Sequence, residues 1–228
     1  YKHVPIQEMH PWTAVETNVI GTMKLVDFSL KYRVEKFVLV STDKAVHPVN
    51  VMGATKRLAE RIIQTVENNK TEFFAVRFGN VIGSSGSVIP TFQRQIEKGG
   101  PITITHPEMT RYFMSIPEAS QLILQTGALG KNGQIFVLDM GEPIKIKDMA
   151  YDLIRLSGFE PEKDIPVIYT GLRPGEKLYE ELITRDEKME KTAHKKIMIL
   201  QDKAPQKSWP VFRKEIDVLY NTIKTFDP

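Results

Sequence analysis

Hydrophobic residues in the first third of the chain follow two alternating patterns. Between Pro11 and about Lys31, apolar side chains recur every three or four residues, which predicts an amphipathic helix. The residues of this stripe are Val15, Val19, Met23, Val26 and Leu30. A second such helix is predicted from Met52 to about Asn68. The uninterrupted apolar runs Phe37–Val40 and Phe73–Val76 are typical of strands that are buried on both faces of a parallel sheet.

The later part of the chain predicts shorter elements of both kinds. Helices are predicted over Pro90–Lys98, Pro117–Thr126 and Ile146–Leu156 and from about Trp209. Strands are predicted over Ile102–Thr105, Gln134–Met140 and Ile165–Tyr169. Gly83–Gly86 is predicted to be a loop, and Lys188–Lys196 a solvated segment. Because helices alternate with strands, the sequence predicts an α/β fold with right-handed crossovers and a smaller lobe interleaved with the sheet.

Composition and charge exclude several classes of protein. The 228 residues carry a net charge of +3, spread along the chain, so no nucleic-acid partner is expected. No apolar run approaches the roughly 18 residues of a membrane span, so no membrane contact is expected of these residues. The sequence has no cysteine, and its five histidines lack the spacing of metal ligands, so no metal site is predicted. These features favour a globular domain in a reducing compartment, and we expect the cytoplasm.

Polar side chains that could carry chemistry follow the first predicted strand. Ser41–Lys44 supplies two hydroxyls, a carboxylate and an ammonium at the strand exit. Ligands of an open parallel sheet bind beyond the carboxyl ends of its strands, which makes this segment a candidate site. The next predicted helix places Met52 and Lys56 four residues apart on one face. The alternative is that the segment only caps the strand, that Met52 is a core residue and that Lys56 is a surface charge.

Five ordered segments together resemble a known family. They are Asn18–Thr22, Phe37–Val46, Val51–Arg57, Arg77–Val81 and Arg173–Lys177. A serine at a strand end, followed by a helical four-residue spacing that ends in lysine, resembles the Ser…Tyr-x-x-x-Lys arrangement of extended short-chain dehydrogenases/reductases. More narrowly, the segments resemble the UDP-N-acetylglucosamine 4,6-dehydratases of polysaccharide biosynthesis, the CapD-like group. The resemblance implies the C-terminal part of a doubly wound, Rossmann-like parallel sheet with a smaller mixed substrate-binding lobe.

The family reaction gives the strand-exit residues specific roles. A hydride leaves C4 of the sugar for NAD⁺, water is lost across C5 and C6, and the hydride returns to C6, which yields a 4-keto-6-deoxy sugar nucleotide for glycan assembly. The resemblance implies Lys44 as the base at C5 and Asp43 as the acid at the C6 hydroxyl. Met52 stands where most of the superfamily carries tyrosine, and its thioether cannot take the C4 hydroxyl proton. That task is expected of Thr42 and Asp43, and Lys56 is expected to hold the cofactor ribose.

The resemblance also implies binding residues for the cofactor and the substrate. The implied NAD-binding residues are Asn18, Ser41, Lys56 and Phe78. The implied residues for the UDP-sugar are Asn80, Ser84, Ser85, Arg94, Arg111, Arg173 and Glu176. Arginine suits phosphate because its planar fork donates two hydrogen bonds at once. Three alternatives remain: Arg111 and Arg173 pair with nearby carboxylates, Arg94 pairs with Glu97, or the Ser84–Ser85 loop is only a turn.

One expected motif does not occur in the sequence. A dinucleotide fold begins with strand, Gly-x-Gly-x-x-Gly and helix, and these 228 residues contain no such motif. We therefore expect the C-terminal part of a longer protein, membrane-attached as in some relatives, with one sheet edge left open. On this reading residues 1–82 are the second half of the NAD-binding domain, and residues 83–228 are mainly the sugar-binding lobe. A homo-oligomer is also expected; a 4-epimerase or reductase and a non-catalytic UDP-sugar-binding fragment are the alternative functions.

Overall fold

The chain folds as two compact units. The computed structural model describes residues 1–67, 70–185, 187–201 and 207–225. The first unit comprises Tyr1–Phe78, Gln121–Asp139 and Glu181–Pro228, and the second comprises Gly79–Ser120 and Met140–Glu180. Each unit is therefore assembled from separated stretches of sequence. The assignment of residues 1–82 to the cofactor and of residues 83–228 to the sugar nucleotide remains a prediction.

The helices and strands are numbered in chain order. The helices are α1 (Val4–Met9), α2 (Pro11–Ala14), α3 (Gly21–Lys31), α4 (Val51–Thr65), α5 (Val88–Glu97), α6 (Ile116–Leu129), α7 (Ile146–Leu156) and α8 (Trp209–Lys224). The strands are β1 (Lys36–Val40), β2 (Glu72–Arg77), β3 (Asn80–Val81), β4 (Ile102–Ile104), β5 (Thr110–Arg111), β6 (Phe113–Met114), β7 (Ile135–Leu138), β8 (Ile144–Lys145), β9 (Val167–Tyr169), β10 (Lys188–Lys191) and β11 (Ile197–Gln201). Within the described ranges, no helix is long and apolar enough to cross a bilayer.

A mixed sheet in the order β1-β2-β7-β11-β10 forms the centre of the first unit. Strands β1, β2 and β7 run parallel, with Val40 opposite Val76 and Val76 opposite Phe136. β11 joins β7 in the antiparallel direction, and β10 joins β11 in the same way. The parallel strands and the helices that alternate with them confirm the predicted α/β class.

The two predicted buried strands differ in how deeply they lie. Phe73–Val76 of β2 is fully buried, as the apolar run predicts. In β1 only Leu39 is buried, and Val40 is 45% exposed. The prediction of burial on both faces is therefore wrong for β1. The reason is its position, because β1 ends the sheet and is paired along one edge only in the described part of the chain.

The antiparallel edge of the sheet was not predicted from the sequence. The segment Lys188–Lys196 is predicted to be solvated, and its residues Lys188–Lys191 are indeed exposed, but they form the strand β10, which the sequence analysis does not predict. All residues of β10 are exposed, which is why the charged sequence suits an edge strand. β11 carries the short apolar run Ile197–Leu200, and its pairing with β7 depends on residues far away in sequence.

The helices of the first unit confirm the two long amphipathic patterns. α2, a π-helical stretch Val15–Ile20 and α3 follow one another without a break, so residues 11–31 are helical as predicted. α4 begins after Asn50, whose Oδ1 accepts a hydrogen bond from the Gly53 N–H at 2.7 Å. α4 ends at Thr65, whereas the predicted end, Asn68, lies outside the described residues.

The core of the first unit lies where these helices meet the sheet. The stripe predicted for residues 11–31 is buried at its first four positions and partly buried at Leu30. The fully buried members of the cluster are Val19, Val26, Ala59, Ile62, Ile63, Phe73 and Ala75. Residues of α8 also pack against it, among them Ile216 and Phe212. Helix–sheet packing of this kind fixes where β1 ends and where α4 begins.

The second unit consists of small paired strands and two helices. β3 pairs with β6 and β4 with β9 in parallel, and β5 pairs with β8 in the antiparallel direction. α5 and α7 cover a separate apolar cluster that includes Phe92, Ile102, Ala150 and Ile154. This mixture of short elements agrees with the predicted mixed lobe.

Candidate active site

The candidate site begins where β1 ends. Ser41 continues the strand for one residue, because its N–H donates to the Val76 carbonyl at 2.8 Å. The chain then turns in a single 3₁₀ turn, Asp43–Ala45. The Asp43 N–H donates to the Phe78 carbonyl at 3.1 Å, and this bond ties the turn to the residue after β2. The exits of two neighbouring parallel strands are thus joined at this turn, as the sheet topology requires.

Asp43 and Lys44 form a close ionic contact in this turn. Lys44 Nζ lies 3.0 Å from Asp43 Oδ1, and the Thr42 hydroxyl donates to the same oxygen at 2.8 Å. Asp43 is fully buried, and the Lys44 side chain is 16% exposed. Asp43 Oδ2 is buried and accepts no hydrogen bond within the described residues. A buried carboxylate oxygen normally has a hydrogen-bond partner, so this oxygen is an exception among the described residues.

The start of α4 brings Met52 and Lys56 to the strand exit. Met52 is 2% exposed, which also suits a core residue. Lys56 Nζ donates to the carbonyl of Val40, the last residue of β1, at 3.1 Å. Burial lowers the pKa of Lys56 below its ordinary value, and the negative charge of Glu60, one helical turn further on, opposes this shift. Lys56 is therefore partly desolvated, unlike a simple surface charge, and its role toward a cofactor remains a prediction.

The other predicted cofactor residues have local partners. The Asn18 amide donates to the Tyr1 carbonyl at 3.1 Å and to Thr55 Oγ1 at 3.0 Å. The Phe78 side chain is largely buried, and the contact that ties it to the site is made by its backbone. Asn18, Ser41, Lys56 and Phe78 all belong to the first unit.

A buried ionic cluster beside the strand exit was missed by the sequence analysis. Glu60 Oε1 accepts hydrogen bonds from Ser41 Oγ at 2.6 Å and from Arg77 Nε at 2.8 Å. Its other oxygen accepts from Arg77 at 2.9 Å and from Arg57 at 3.0 Å. Arg77 also donates to Glu187 at 3.1 and 3.3 Å. The available signal was the position of Glu60 four residues after Lys56, which places both on one helix face.

In the second unit, Arg111 is committed to local partners. Its guanidinium donates to the carbonyls of Thr110, Lys177 and Leu178 at 2.7, 2.7 and 3.1 Å. Glu176 and Glu180 carboxylate oxygens lie 3.7 and 3.8 Å from the same group. The alternative of carboxylate pairing therefore holds for Arg111. A role in phosphate binding remains a prediction.

The remaining predicted substrate residues lie mainly in loops. Arg173 opens a turn in which its N–H donates to Glu176 Oε2 at 3.1 Å, and its side chain is exposed. Arg94 donates to the Pro90 carbonyl of its own helix at 3.2 Å, and no ion pair joins it to Glu97 in the described structure.

The predicted diphosphate loop lies close to Asn80 in sequence. Asn80 lies in β3, where its N–H donates to the Tyr112 carbonyl. Ser84 is half-buried and Ser85 is exposed, in a turn between two glycines with positive φ, Gly83 and Gly86. This conformation suits a turn as well as an anion-binding loop, so the role of these serines remains a prediction.

Comparison with known proteins places the chain in a family. A family model described as "Polysaccharide biosynthesis protein" matches residues 1–202. The chain belongs to this family. It is 58% identical over 199 residues to "Capsular polysaccharide biosynthesis protein CapD" of Staphylococcus aureus, which covers 86% of this chain and 33% of CapD. The chain spans about a third of the length of the first curated relatives that it matches.

Solved structures support the same fold for this polysaccharide biosynthesis protein. The X-ray structure of Pen from Bacillus thuringiensis matches with a TM-score of 0.80 and 32% identity, over 100% of this chain and 74% of Pen. The dTDP-glucose 4,6-dehydratase DesIV from Streptomyces venezuelae, solved with NAD bound, matches with a TM-score of 0.69 over 98% of this chain and 70% of DesIV. At 19% identity the likeness to DesIV shows the fold alone.

In the described part of the chain, no group of three or more histidine, aspartate or glutamate side chains could hold a metal ion.

Proposed function

We propose that the whole protein carrying this chain is a nucleotide-sugar 4,6-dehydratase of polysaccharide biosynthesis. Its substrate would be UDP-N-acetylglucosamine, its cofactor NAD, and its product a 4-keto-6-deoxy sugar nucleotide. Membership of the polysaccharide biosynthesis family and the identity to CapD support the class of pathway. The dehydratase chemistry is a separate step in the argument and rests on the strand exit.

The Asp43–Lys44 pair carries this proposal. An elimination across C5 and C6 needs a base and an acid on adjacent carbons, and the pair supplies an amine and a carboxyl group within 3.0 Å. In the reactive form of the pair, the shared proton would reside on Asp43 Oδ2, and Lys44 would be a neutral amine that still donates an N–H to Oδ1. Lys44 could then take the C5 proton, and Asp43 could protonate the leaving C6 hydroxyl. Neither side chain points into bulk solvent, which a role in proton transfer requires.

The two oxygens of Asp43 would have different tasks. Oδ1 is held by Thr42 and Lys44, so it fixes the orientation of the carboxyl group. Oδ2 is buried and without a partner in the described residues, so it is the oxygen available to the sugar hydroxyl. Thr42 would assist at C4, because Met52 has no group that can take a hydroxyl proton.

The residues of the strand exit fit a nicotinamide cofactor in part. NAD, when bound, would supply the hydride acceptor for the oxidation at C4. Lys56 uses one of its three N–H donors for the Val40 carbonyl, which leaves the others for ribose hydroxyls. The two N–H donors of the Asn18 amide are already used by the Tyr1 carbonyl and by Thr55 Oγ1, so a hydrogen bond donated to the cofactor would require an exchange of partners. The sequence has no glycine-rich pyrophosphate motif, so other residues of the whole protein would have to supply it.

The test is a mass measurement on the whole protein. It is incubated with NAD⁺ and UDP-N-acetylglucosamine, and the sugar nucleotide is examined for the loss of one water. A product of unchanged mass but altered C4 configuration would replace the proposal with a 4-epimerase. Unchanged substrate that nevertheless binds would replace it with a non-catalytic UDP-sugar-binding function.

Two lysine variants separate the proposed base from a general effect of charge. Lys44→Ala removes the amine from the strand exit and should stop the elimination. Lys163→Ala removes an exposed lysine that pairs with Glu160 on the surface of the second unit, and it should leave turnover unchanged. Full turnover by Lys44→Ala would remove Lys44 from the mechanism.

A further inference from the structure

The buried cluster around Glu60 balances its own charge. Two guanidinium groups, from Arg57 and Arg77, face two carboxylates, from Glu60 and Glu187. Arg77 and Glu60 have no exposed side-chain surface, and Glu187 has 5%. Burying charges is costly unless each one is paired and hydrogen-bonded. The cluster meets that condition, and it includes one neutral member, Ser41.

The hydrogen bonds that Glu60 accepts occupy all the lone-pair positions of its carboxylate. An ionised carboxylate has about four lone-pair positions, two on each oxygen. Arg77 occupies one position on each oxygen, Arg57 occupies the second on Oε2, and Ser41 occupies the second on Oε1. Both arginines remain protonated at any ordinary pH, so they supply no acceptor. The Ser41 hydroxyl can therefore take its place in the cluster only as a donor.

This arrangement fixes the direction of the Ser41 hydrogen bond. A serine hydroxyl has one proton and two lone pairs. The proton is committed to Glu60 in a short bond of 2.6 Å, so the oxygen is left with lone pairs alone. We propose that Glu60, itself held by Arg77 and Arg57, is a positioning residue that makes Ser41 an acceptor, and only an acceptor, toward the ligand of the strand exit. The group that Ser41 recognises would then be an O–H or N–H donor of the bound sugar nucleotide or cofactor.

The inference rests on the proposed function for its ligand, but the hydrogen bond itself does not. A carbonyl oxygen of the ligand cannot form a hydrogen bond with Ser41 Oγ, whereas a hydroxyl or an amide N–H of the ligand can donate one to it. Glu60 also belongs to α4 and lies one turn from Lys56, so one carboxylate sets both the polarity of Ser41 and the charge beside Lys56. Glu187 and Arg77 would act only through Glu60.

A double-mutant cycle on the whole protein tests the coupling. The variants are Ser41→Ala, Glu60→Gln and the double variant, with kcat/KM for UDP-N-acetylglucosamine and the thermal midpoint measured for each. Ser41→Ala should lower kcat/KM about 10-fold, the loss of one hydrogen bond. Glu60→Gln should lower kcat/KM in the wild-type background and cause a clearly smaller further loss in the Ser41→Ala background, where only its effect on Lys56 remains. Ser41→Thr, which keeps the hydroxyl, should retain most of the wild-type kcat/KM.

A purely structural role for Glu60 predicts a different pattern. Glu60→Gln would then lower kcat/KM by the same factor in both backgrounds, in step with the thermal midpoint, and that result would overturn the proposal. If the wild-type protein does not convert UDP-N-acetylglucosamine at all, the proposed function fails. The hydrogen bond from Ser41 to Glu60 is then tested by a measurement that needs no enzymatic turnover.

That measurement is the exchange rate of the Ser41 hydroxyl proton. Serine labelled with ¹³C at Cβ, in equal parts of H₂O and D₂O, gives two Cβ resonances when the hydroxyl exchanges slowly and one averaged resonance when it exchanges fast. Wild-type Ser41, assigned by comparison with Ser41→Ala, should give two. A single resonance would refute the donation to Glu60, and this result is available even if Glu60→Gln does not fold.

Discussion

Gly53, at the start of α4, packs against the carbonyl oxygen of Lys44. A β-carbon at Gly53 would overlap that oxygen, and it would lie 3.1 Å from Asn50 Oδ1, the cap of the same helix. The helix can approach the Asp43–Ala45 turn only because residue 53 has no side chain. The position of Lys44 therefore depends on a glycine nine residues away, and both belong to the first unit.

Gly53→Ala is expected to displace either the turn or the helix start. The overlap is with backbone atoms, which cannot rotate away as a flexible side chain can, so we expect a loss of about 1–3 kcal/mol of unfolding free energy. Dehydration should fall by at least about 10-fold, because small misplacements of catalytic groups are costly. Urea unfolding and the mass assay measure the two effects. Gly127→Ala in α6 is the matched control, since no atom lies within 4 Å of its β-carbon position, and it should keep full activity.

Asp43→Asn is expected to abolish most of the elimination without unfolding the protein. The amide has the shape of the carboxyl group but cannot deliver a proton to the leaving hydroxyl, and general acid catalysis contributes about 100-fold or more. The rate of water loss from UDP-N-acetylglucosamine is the measurement. Asp152→Asn, in an exposed pair with Arg155 on α7, should turn over normally. Equal rates for the two variants would contradict the assignment of Asp43 as the acid.

Much of the fold follows from local patterns in the sequence. The spacing from Val15 to Leu30 is typical of a helix, the short apolar run Phe73–Val76 is typical of a buried strand, and the structure confirms both. The exit of β1 could be chosen as a candidate site because a parallel sheet brings strand ends together, whatever the distant contacts are. The roles of Asp43 and Lys44, however, came from the family resemblance and remain proposals.

The features that the sequence does not predict depend on partners distant along the chain. Arg77 directly follows the buried apolar run, and it is fully buried because Glu60 and Glu187 meet it from 17 and 110 residues away. The pairing of β11 with β7 is another case, because Ile197 lies opposite Leu138, a partner far away in the sequence. Local spacing carries no information about which distant carboxylate will reach a given arginine.

Arg77→Met is expected to destabilise the protein far more than a matched change at the surface. It leaves the carboxylates of Glu60 and Glu187 buried without their main partner, and breaking a buried pair costs about 3–5 kcal/mol. Arg213→Met removes an equally close two-bond contact, with Asp27 at 2.7 and 2.8 Å. Both members of that pair are 40% exposed, so we expect a cost of at most about 1 kcal/mol. Similar losses in urea unfolding would contradict the special cost of the buried cluster.

Lys56 is expected to make stability depend on pH in the alkaline range. Burial lowers its pKa in the folded state, against the opposing charge of Glu60, so the unfolded chain binds more protons between the folded and unfolded pKa values. The free energy of unfolding should therefore rise with pH across that window and be lowest below the folded-state pKa. Urea unfolding at a series of pH values measures this rise, and Lys56→Gln should remove it.

An NMR titration of lysine side chains provides the control for Lys56 in the same sample. Lys145 is exposed, and its hydrogen bond to Glu108 raises its pKa, so the two lysines should titrate on opposite sides of the ordinary value. Lys56→Gln assigns the first resonance and Lys145→Gln the second. If the pKa of Lys56 were equal to or above the pKa values of exposed lysines, its ammonium would be well solvated. The site would then have no desolvated amine on α4, and Lys56 would return to the role of an ordinary surface charge.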